Sequence, residues 1–182
     1  MNSNLRKKRK EREEQKHIIY KKKLLNKIIK GDNPILKEVC KPINSHADLS
    51  QGYSGNNGNI IVFLKRIISA TDNGLGLAAP QIGIPKRAFI IRPNLKKKEE
   101  MFICINPEII EYSELKTVMM EGCLSFPDVF TEIERYQEIK VRYLNAKLEI
   151  CEHWLVDFEA RIFQHELDHL NGFCLIAKTK EK

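Results

Sequence analysis

Between Ile60 and Ala70, apolar residues fall at Ile60, Ile61, Leu64, Ile67 and Ile68. Steps of three and four place them on one stripe, which predicts a helix packed on a core. A second helix is predicted over 158–170. It stops at Asn171-Gly172, because Asn and Gly adopt the left-handed backbone that closes a helix. Between the two, shorter apolar runs read as strands at 87–91, 101–105, 118–120, 138–144 and 148–154, the last with partial alternation. Strands clustered between an early and a late helix predict an α+β fold with mainly antiparallel sheets. The segment GLGLAAPQIG, Gly74 to Gly83, follows an apolar run with small residues and a Pro-Gln pair. It reads as a tight loop that brings backbone close to something. GYSGNNGN, at 52–59, is the one Gly/Asn-rich loop, and no internal repeat is seen.

A length of 182 residues fits one domain with a sizeable core. The net charge of +7 would suggest a nucleic-acid binder, but it is unevenly spread. Residues 1–30 hold 12 Lys/Arg and 3 Asp/Glu (+9), leaving 19 basic and 21 acidic residues (−2) for the rest. The chain therefore divides into a basic extension, 1–30, and a main domain, 31–182. KKRKEREEQK reads as solvated and mobile at its start. Further on, Ile18, Leu25, Ile28 and Ile29 fit one helix face. The extension is either a solubilising tail or a segment that packs on the domain or touches an acidic surface such as ribosomal RNA. No apolar run marks a signal peptide or a membrane span. Glu11, Glu13 and Glu14 argue against a transit peptide. The five cysteines, Cys40, Cys104, Cys123, Cys151 and Cys174, form no spaced framework and suit a reducing compartment.

The chemistry lies in QHELDHLNG, Gln164 to Gly172. His165 and His169 are four residues apart, so on a helix both imidazoles reach one metal ion. Glu166 then sits beside the metal, where a carboxylate can handle the protons of a metal-bound water. A catalytic site of this kind needs a third protein ligand. The metzincin extension HExxHxxGxxH is followed through Gly172, but its third-ligand position holds Leu175. Only 13 residues follow His169, and their one acid is Glu181 in a charged tail, so a downstream Glu ligand does not fit either. Upstream, Cys123 in EGCLS is the good candidate, since a thiolate binds Zn²⁺ or Fe²⁺ strongly. The alternative is a small buried hydrophobe, as most free cysteines are.

The order GLGLAAPQ, EGCLS, QHELDHLNG resembles the peptide deformylase family, whose signature motifs are GxGLAAPQ, EGCLS and HExDH. The resemblance runs over 33–177 and includes NPILKEVCKPI near the start, Ile105-Asn106-Pro107, and KVRYLN at 140–145. It implies a deformylase fold, with the motif helix cradled by antiparallel sheets. It implies removal of the formyl group from nascent polypeptides that begin with formyl-methionine, giving formate and a free N-terminus. Cys123, His165 and His169 would be the metal ligands. The metal-bound water would attack the formyl carbon, with Glu166 as base and then acid. The Gln81 side-chain amide and the Leu124 backbone N–H would donate to the formyl oxygen. Gly76 and Glu121 would join Gln81 and Leu124 in binding substrate. The metal would be Fe²⁺ in the cell, with Zn²⁺, Ni²⁺ or Co²⁺ able to occupy the site. The setting would be the cytoplasm, or a mitochondrion or plastid if a transit peptide was trimmed.

Several positions depart from the family pattern. Phe130 stands where many deformylases carry an Arg seven residues after the ligand Cys. Asp157 replaces a small residue, LNAKLEI lacks an Asp-Gly turn pair, and the chain runs only 10 residues past Gly172. Asp168 is read as structural, a partner for Arg161 on the same helix. Arg135 and Arg142 fit basic family positions or ordinary salt bridges. Two other functions compete: a weakly active relative that binds formylated nascent chains, and a zinc endopeptidase. The intact catalytic set argues against the first and the missing third His or Glu against the second.

Overall fold

The computed structural model describes residues 3–50, 59–95 and 101–174. Helix α1 spans Ser3–Leu25, α2 His46–Ser50, α3 Ile60–Ala70 and α4 Asp157–Leu170. Strands are β1 (Gly76–Ala78), β2 (Ala88–Ile91), β3 (Phe102–Tyr112), β4 (Lys116–Cys123), β5 (Phe126–Tyr136), β6 (Glu138–Leu144) and β7 (Ile150–Val156). Five of them form an antiparallel sheet in the order β1-β2-β3-β6-β7, and β4-β5 is a separate hairpin.

Strand β2 is buried on both sides, and its alternation sorts two cores. Ala88 and Ile90 join the α3 stripe with Leu77, Ile43 and Ile28. Phe89 and Ile91 point the other way, to Phe163, Ala160 and Leu170 of α4. The Phe89 and Phe163 rings meet edge to face, 5.0 Å between centroids. The motif helix is thus a core element packed against the sheet.

Contacts at the middle and the C-terminal end of α4 fix its position. Gln164 donates from Nε2 to the Tyr136 carbonyl (2.8 Å), and its Oε1 accepts from the Tyr136 N–H (3.2 Å). At the far end Gly172 has φ +79°, and a Cβ there would lie 2.5 Å from the Lys37 carbonyl oxygen. Asn171-Gly172 ends the helix as expected, and close approach adds a second demand for glycine.

The sequence departures find local answers. Asp157 opens α4 at φ +48° and accepts a hydrogen bond from Gln137 Nε2 at 2.9 Å; Asp tolerates this region better than most residues. The β6–β7 hairpin closes on Asn145, whose Oδ1 accepts from the N–H groups of Lys147 and Glu149.

The extension, read as partly mobile or helical, carries α1 as one helix, and the described side chains from Arg6 to Ile19 are exposed. Its last turn packs on the domain through Leu24 and Leu25, followed by buried Ile28, whereas Ile18 of the expected apolar face stays exposed. Lys21 pairs with Asp72 at 2.6 Å. The Gly/Asn-rich stretch lies outside the described residues up to Asn59, which caps α3 by accepting from the Ile61 N–H at 2.8 Å. Among the described residues no helix is long and apolar enough to cross a membrane.

Candidate active site

Cys123 ends β4, and His165 and His169 lie one turn apart on α4. Their ligand atoms all fall within 4.8 Å of one another, with Cys123 Sγ 3.2 Å from His169 Nε2. The hairpin delivers the cysteine through a bulge: Gly122 pairs with Phe130, but the next residue, Cys123, pairs with Phe126. Bulges of this kind re-aim a side chain beside an active site.

A buried ionic cluster fixes the first imidazole. His165 Nδ1 lies 2.9 Å from Glu121 Oε2, which leaves Nε2 for the cluster centre. Glu121 also takes two bonds from Arg135 (2.9 Å each) and one from Arg161 (2.7 Å). Burial works against its charge, but the bonds from Arg135 and His165 prevail and hold the carboxyl well below its usual range. Glu121, grouped with substrate contacts in the sequence, lines the cavity, and its carboxylate is engaged by Arg135, Arg161 and His165. Asp168 was expected to meet Arg161 but pairs with Arg135 at 2.6 Å. The two arginines tie the hairpin to α4, since Arg161 also donates to the Thr117 and Ile133 carbonyls. Arg142 by contrast is a surface residue paired with Glu108 and Glu152.

Glu166 is 3% exposed, and its Oε2 has no hydrogen-bond partner among the described residues. Burial pushes its carboxyl up to about 7, against the pull of His165 and Arg135. A group in that range both accepts and releases a proton near neutrality. Gly76 at the start of β1 makes room for it: a Cβ there would lie 2.1 Å from Glu166 Oε1. The Gly74–Gly83 segment is therefore not all loop. It contains β1 and a 3₁₀ turn, Ala79–Ile82, in which Gln81 is 1% exposed.

Gln81 has a fixed amide orientation. Its Oε1 accepts from the Ala78 N–H (2.8 Å), so its NH₂ faces Ser125 Oγ (3.1 Å) and Cys123 Sγ (3.5 Å). Leu124 follows Cys123 and lines the same cavity of about 590 Å³ as Gly76, Gln81, His165 and Glu166. Behind the Gly74 turn, buried Arg92 donates from Nη2 to the Gly74 carbonyl at 2.6 Å. Sequence reasoning missed Ser125 and Arg92. Ser125 was visible inside EGCLS, but nothing in the pattern around Arg92 marked a buried arginine.

One thiol and two imidazoles converging on a point fit a divalent transition metal. The two imidazoles differ. Burial holds His169 well below its ordinary pKa, in the neutral form that ligates. Burial also lowers His165, but Cys123 and Glu121 outweigh it and raise it to about 10, so a metal bound there displaces a proton.

The polypeptide deformylase family model matches residues 25–182. The chain belongs to the polypeptide deformylase family. A peptide deformylase of Thermotoga neapolitana is 47% identical over 152 residues, covering 82% of this chain and 84% of that protein. The crystal structure of peptide deformylase from Thermotoga maritima aligns with TM-score 0.72 at 38% identity, covering 82% of this chain and 94% of that one. A Met-Ala-Ser-bound class I type b peptide deformylase from Acinetobacter baumannii aligns with TM-score 0.67 at 36% identity, covering 82% and 95%. The chain is thus an enzyme of the deformylase family, with a fold of that kind.

Proposed function

We propose that this enzyme hydrolyses the N-formyl group of formyl-methionyl nascent polypeptides, with Cys123, His165 and His169 holding one divalent metal ion. The observation that carries the reading is the convergence of these three donors beside a cavity that Cys123, His165, Glu166 and Gln81 line. When bound, the ion supplies a Lewis acid able to lower the pKa of water from about 15.7 to about 7. The donor set suits Fe²⁺, Zn²⁺, Ni²⁺ or Co²⁺, and we assign Fe²⁺ as the working metal.

The protein groups then divide the work. Glu166, held near neutrality by burial, takes the proton from the attacking water and returns it to the amine as the C–N bond breaks. The Gln81 NH₂, locked by the Ala78 N–H, donates to the formyl oxygen as negative charge builds there. The Leu124 N–H adds a second donor, and the Gly76 backbone holds the peptide. Glu121 positions His165 rather than touching substrate. The Met-Ala-Ser-bound relative supports a short N-terminal methionyl peptide as the occupant of the cavity.

Formate release from a formyl-Met tripeptide tests the reading. The protein is purified without oxygen and reloaded with Fe²⁺, Ni²⁺ or Zn²⁺, with Glu166→Ala as control. Multiple turnovers that vanish in the variant are expected, fastest with Fe²⁺. Metal bound at one equivalent without formate from any loading would refute it and favour a formyl-peptide-binding protein. We further infer that α1 meets ribosomal RNA, because its basic side chains are exposed and lie on the extension that carries the positive charge. Binding to ribosomes that weakens steeply with salt, and weakens in a Lys7, Lys8, Lys10→Glu variant, is expected; salt-independent binding refutes it.

A further inference from the structure

Arg92 follows the buried strand β2 and is itself 0% exposed. Among the described residues its guanidinium meets no carboxylate and its Nη1 has no partner. Nε and Nη2 donate to the Gly74 carbonyl at 3.2 and 2.6 Å, and Nη2 also donates to Thr71 Oγ1 at 3.4 Å. Burying a guanidinium without a counter-charge opposes folding, and an unsatisfied donor adds to the cost. A buried arginine ordinarily closes an ion pair, as Arg135 and Arg161 do with Glu121. Arg92 instead directs its donors at one turn of backbone.

That turn, residues 71–76, lines the cavity. It is held from two rigid elements. On the α3 side, the capping residue Thr71 donates from Oγ1 to the Ile68 carbonyl at 2.7 Å and accepts from the Gly74 N–H at 3.1 Å. On the β2 side, Arg92 adds its backbone N–H to the Leu75 carbonyl at 2.6 Å. Gly74 is closely enclosed: a Cβ there would lie 2.4 Å from Thr71 Oγ1 and 3.2 Å from Leu124 Cδ1. The register then fixes the next residue. Leu75 and Arg92 are hydrogen-bonded across the ladder, so the following pair, Gly76 and Ile91, is a non-hydrogen-bonded one. The Gly76 N–H and C=O therefore point away from β2, to the edge where β1 has no further strand among the described residues.

We propose that Arg92 is a positioning residue for substrate: it clamps the Gly74 carbonyl so that the backbone groups of Gly76 stay aimed at the peptide. The inference rests on the deformylase reading above, in which the Gly76 backbone holds the substrate. A guanidinium suits the task because charge-assisted bonds are short and directional, and a fork can grip one carbonyl through two nitrogens. An apolar side chain could fill the same space without fixing the carbonyl. Arg92 touches neither substrate nor metal ligands, so its loss should appear in peptide binding rather than in the chemical step.

The test uses Arg92→Met, which keeps the length of the side chain and removes its donors. In the metal-loaded enzyme, KM for formyl-Met-Ala-Ser and the inhibition constant of the product peptide Met-Ala-Ser should rise together by about tenfold. Meanwhile kcat should stay within about threefold of wild type, and metal affinity by chelator competition should be unchanged. Arg92→Lys, which still offers a charged donor to the Gly74 carbonyl, should recover most of the loss. Should Arg92→Met fail to fold, Arg92→Gln takes its place: its amide ends near the position of Nε and loses the Nη2 bonds, so both constants should rise at least about threefold. Unchanged constants in folded Arg92→Met or Arg92→Gln, or a loss confined to kcat, overturn the positioning role while the deformylase reading stands. Arg92→Lys as impaired as Arg92→Met overturns the charged clamp. No formate from the wild type overturns the deformylase reading and the inference with it.

Discussion

Adding one methyl group at Gly76 should disable the enzyme without touching Cys123, His165 or His169, the proposed metal ligands. In Gly76→Ala the new Cβ would lie 2.1 Å from Glu166 Oε1, 2.6 Å from its Cδ and 2.7 Å from its Cγ. Ordinary contact begins near 3.4 Å, so the carboxylate must move by more than an ångström. Glu166 is 3% exposed and cannot simply swing into water. A misplacement of about 1 Å at a reacting group costs about 100-fold in rate. Formate release should therefore show kcat/KM lowered about 100-fold, with overpacking costing about 1–3 kcal/mol in stability. A double-mutant cycle separates displacement of Glu166 from general damage. In a Glu166→Ala background the clash disappears, so Gly76→Ala should lower neither residual activity nor Tm by a comparable amount. Gly76→Ala activity within threefold of wild type, or equal Tm losses in both backgrounds, would refute the argument.

Three further outcomes follow from the same cluster. Glu121→Gln removes the charge that fixes His165, so metal affinity measured by chelator competition should fall about 10–100-fold while Cys123 and His169 remain; unchanged affinity counts against the orienting role. Gln81→Leu deletes the donor locked by Ala78 and should lower kcat about 10²–10³-fold with metal content unchanged; a loss confined to KM would contradict it. Folding raises the Glu166 carboxyl from 4.5 to about 7, so its stabilising contribution in the metal-free protein is full below about 4.5 and lost as pH rises through about 7. Glu166→Gln, which stays neutral, should therefore melt at a higher temperature than metal-free wild type at pH 8, with the gap closing towards pH 4.5; a gap independent of pH contradicts the burial argument.

Legibility from sequence tracked how closely hydrophobicity matched burial. Helix α3 was readable residue by residue because its buried positions are Ile and Leu at helical spacing. Strand β6 has the predicted bounds, since Ile139, Val141 and Tyr143 alternate inward. Strand β5 went unseen for the opposite reason. Its buried positions toward the end are Ile133 and Arg135, so a buried arginine stands where the pattern demands an apolar residue, and Pro127 near its start lacks the backbone donor a strand uses. Strand β1 is only three residues long and hid inside a Gly/Ala stretch. At the site, the residues proposed to carry the chemistry were visible as motifs, whereas those that hold them in place were not. Arg135 read as a basic family position or an ordinary salt bridge and Arg161 as a partner for Asp168, because nothing in their neighbourhood announces the shared carboxylate of Glu121, 14 and 40 residues upstream.

That shared carboxylate suggests why the hairpin is built around charge. A two-stranded ribbon is marginal alone, and β4–β5 is outside the main sheet. Yet it must present Cys123 to two histidines on α4. An apolar contact could hold the ribbon down but would tolerate sliding, because dispersion has no direction. Hydrogen-bonded ion pairs do have direction. Arg135 joins Glu121 to Asp168, and Arg161 joins Glu121 to the Thr117 and Ile133 carbonyls, so both strands are registered against one face of the motif helix. The third partner of Glu121 is His165 itself, which makes the anchor of the hairpin and the orientation of a candidate ligand one network. Removing one partner leaves buried charge uncompensated, so the network breaks as a unit rather than loosening bond by bond.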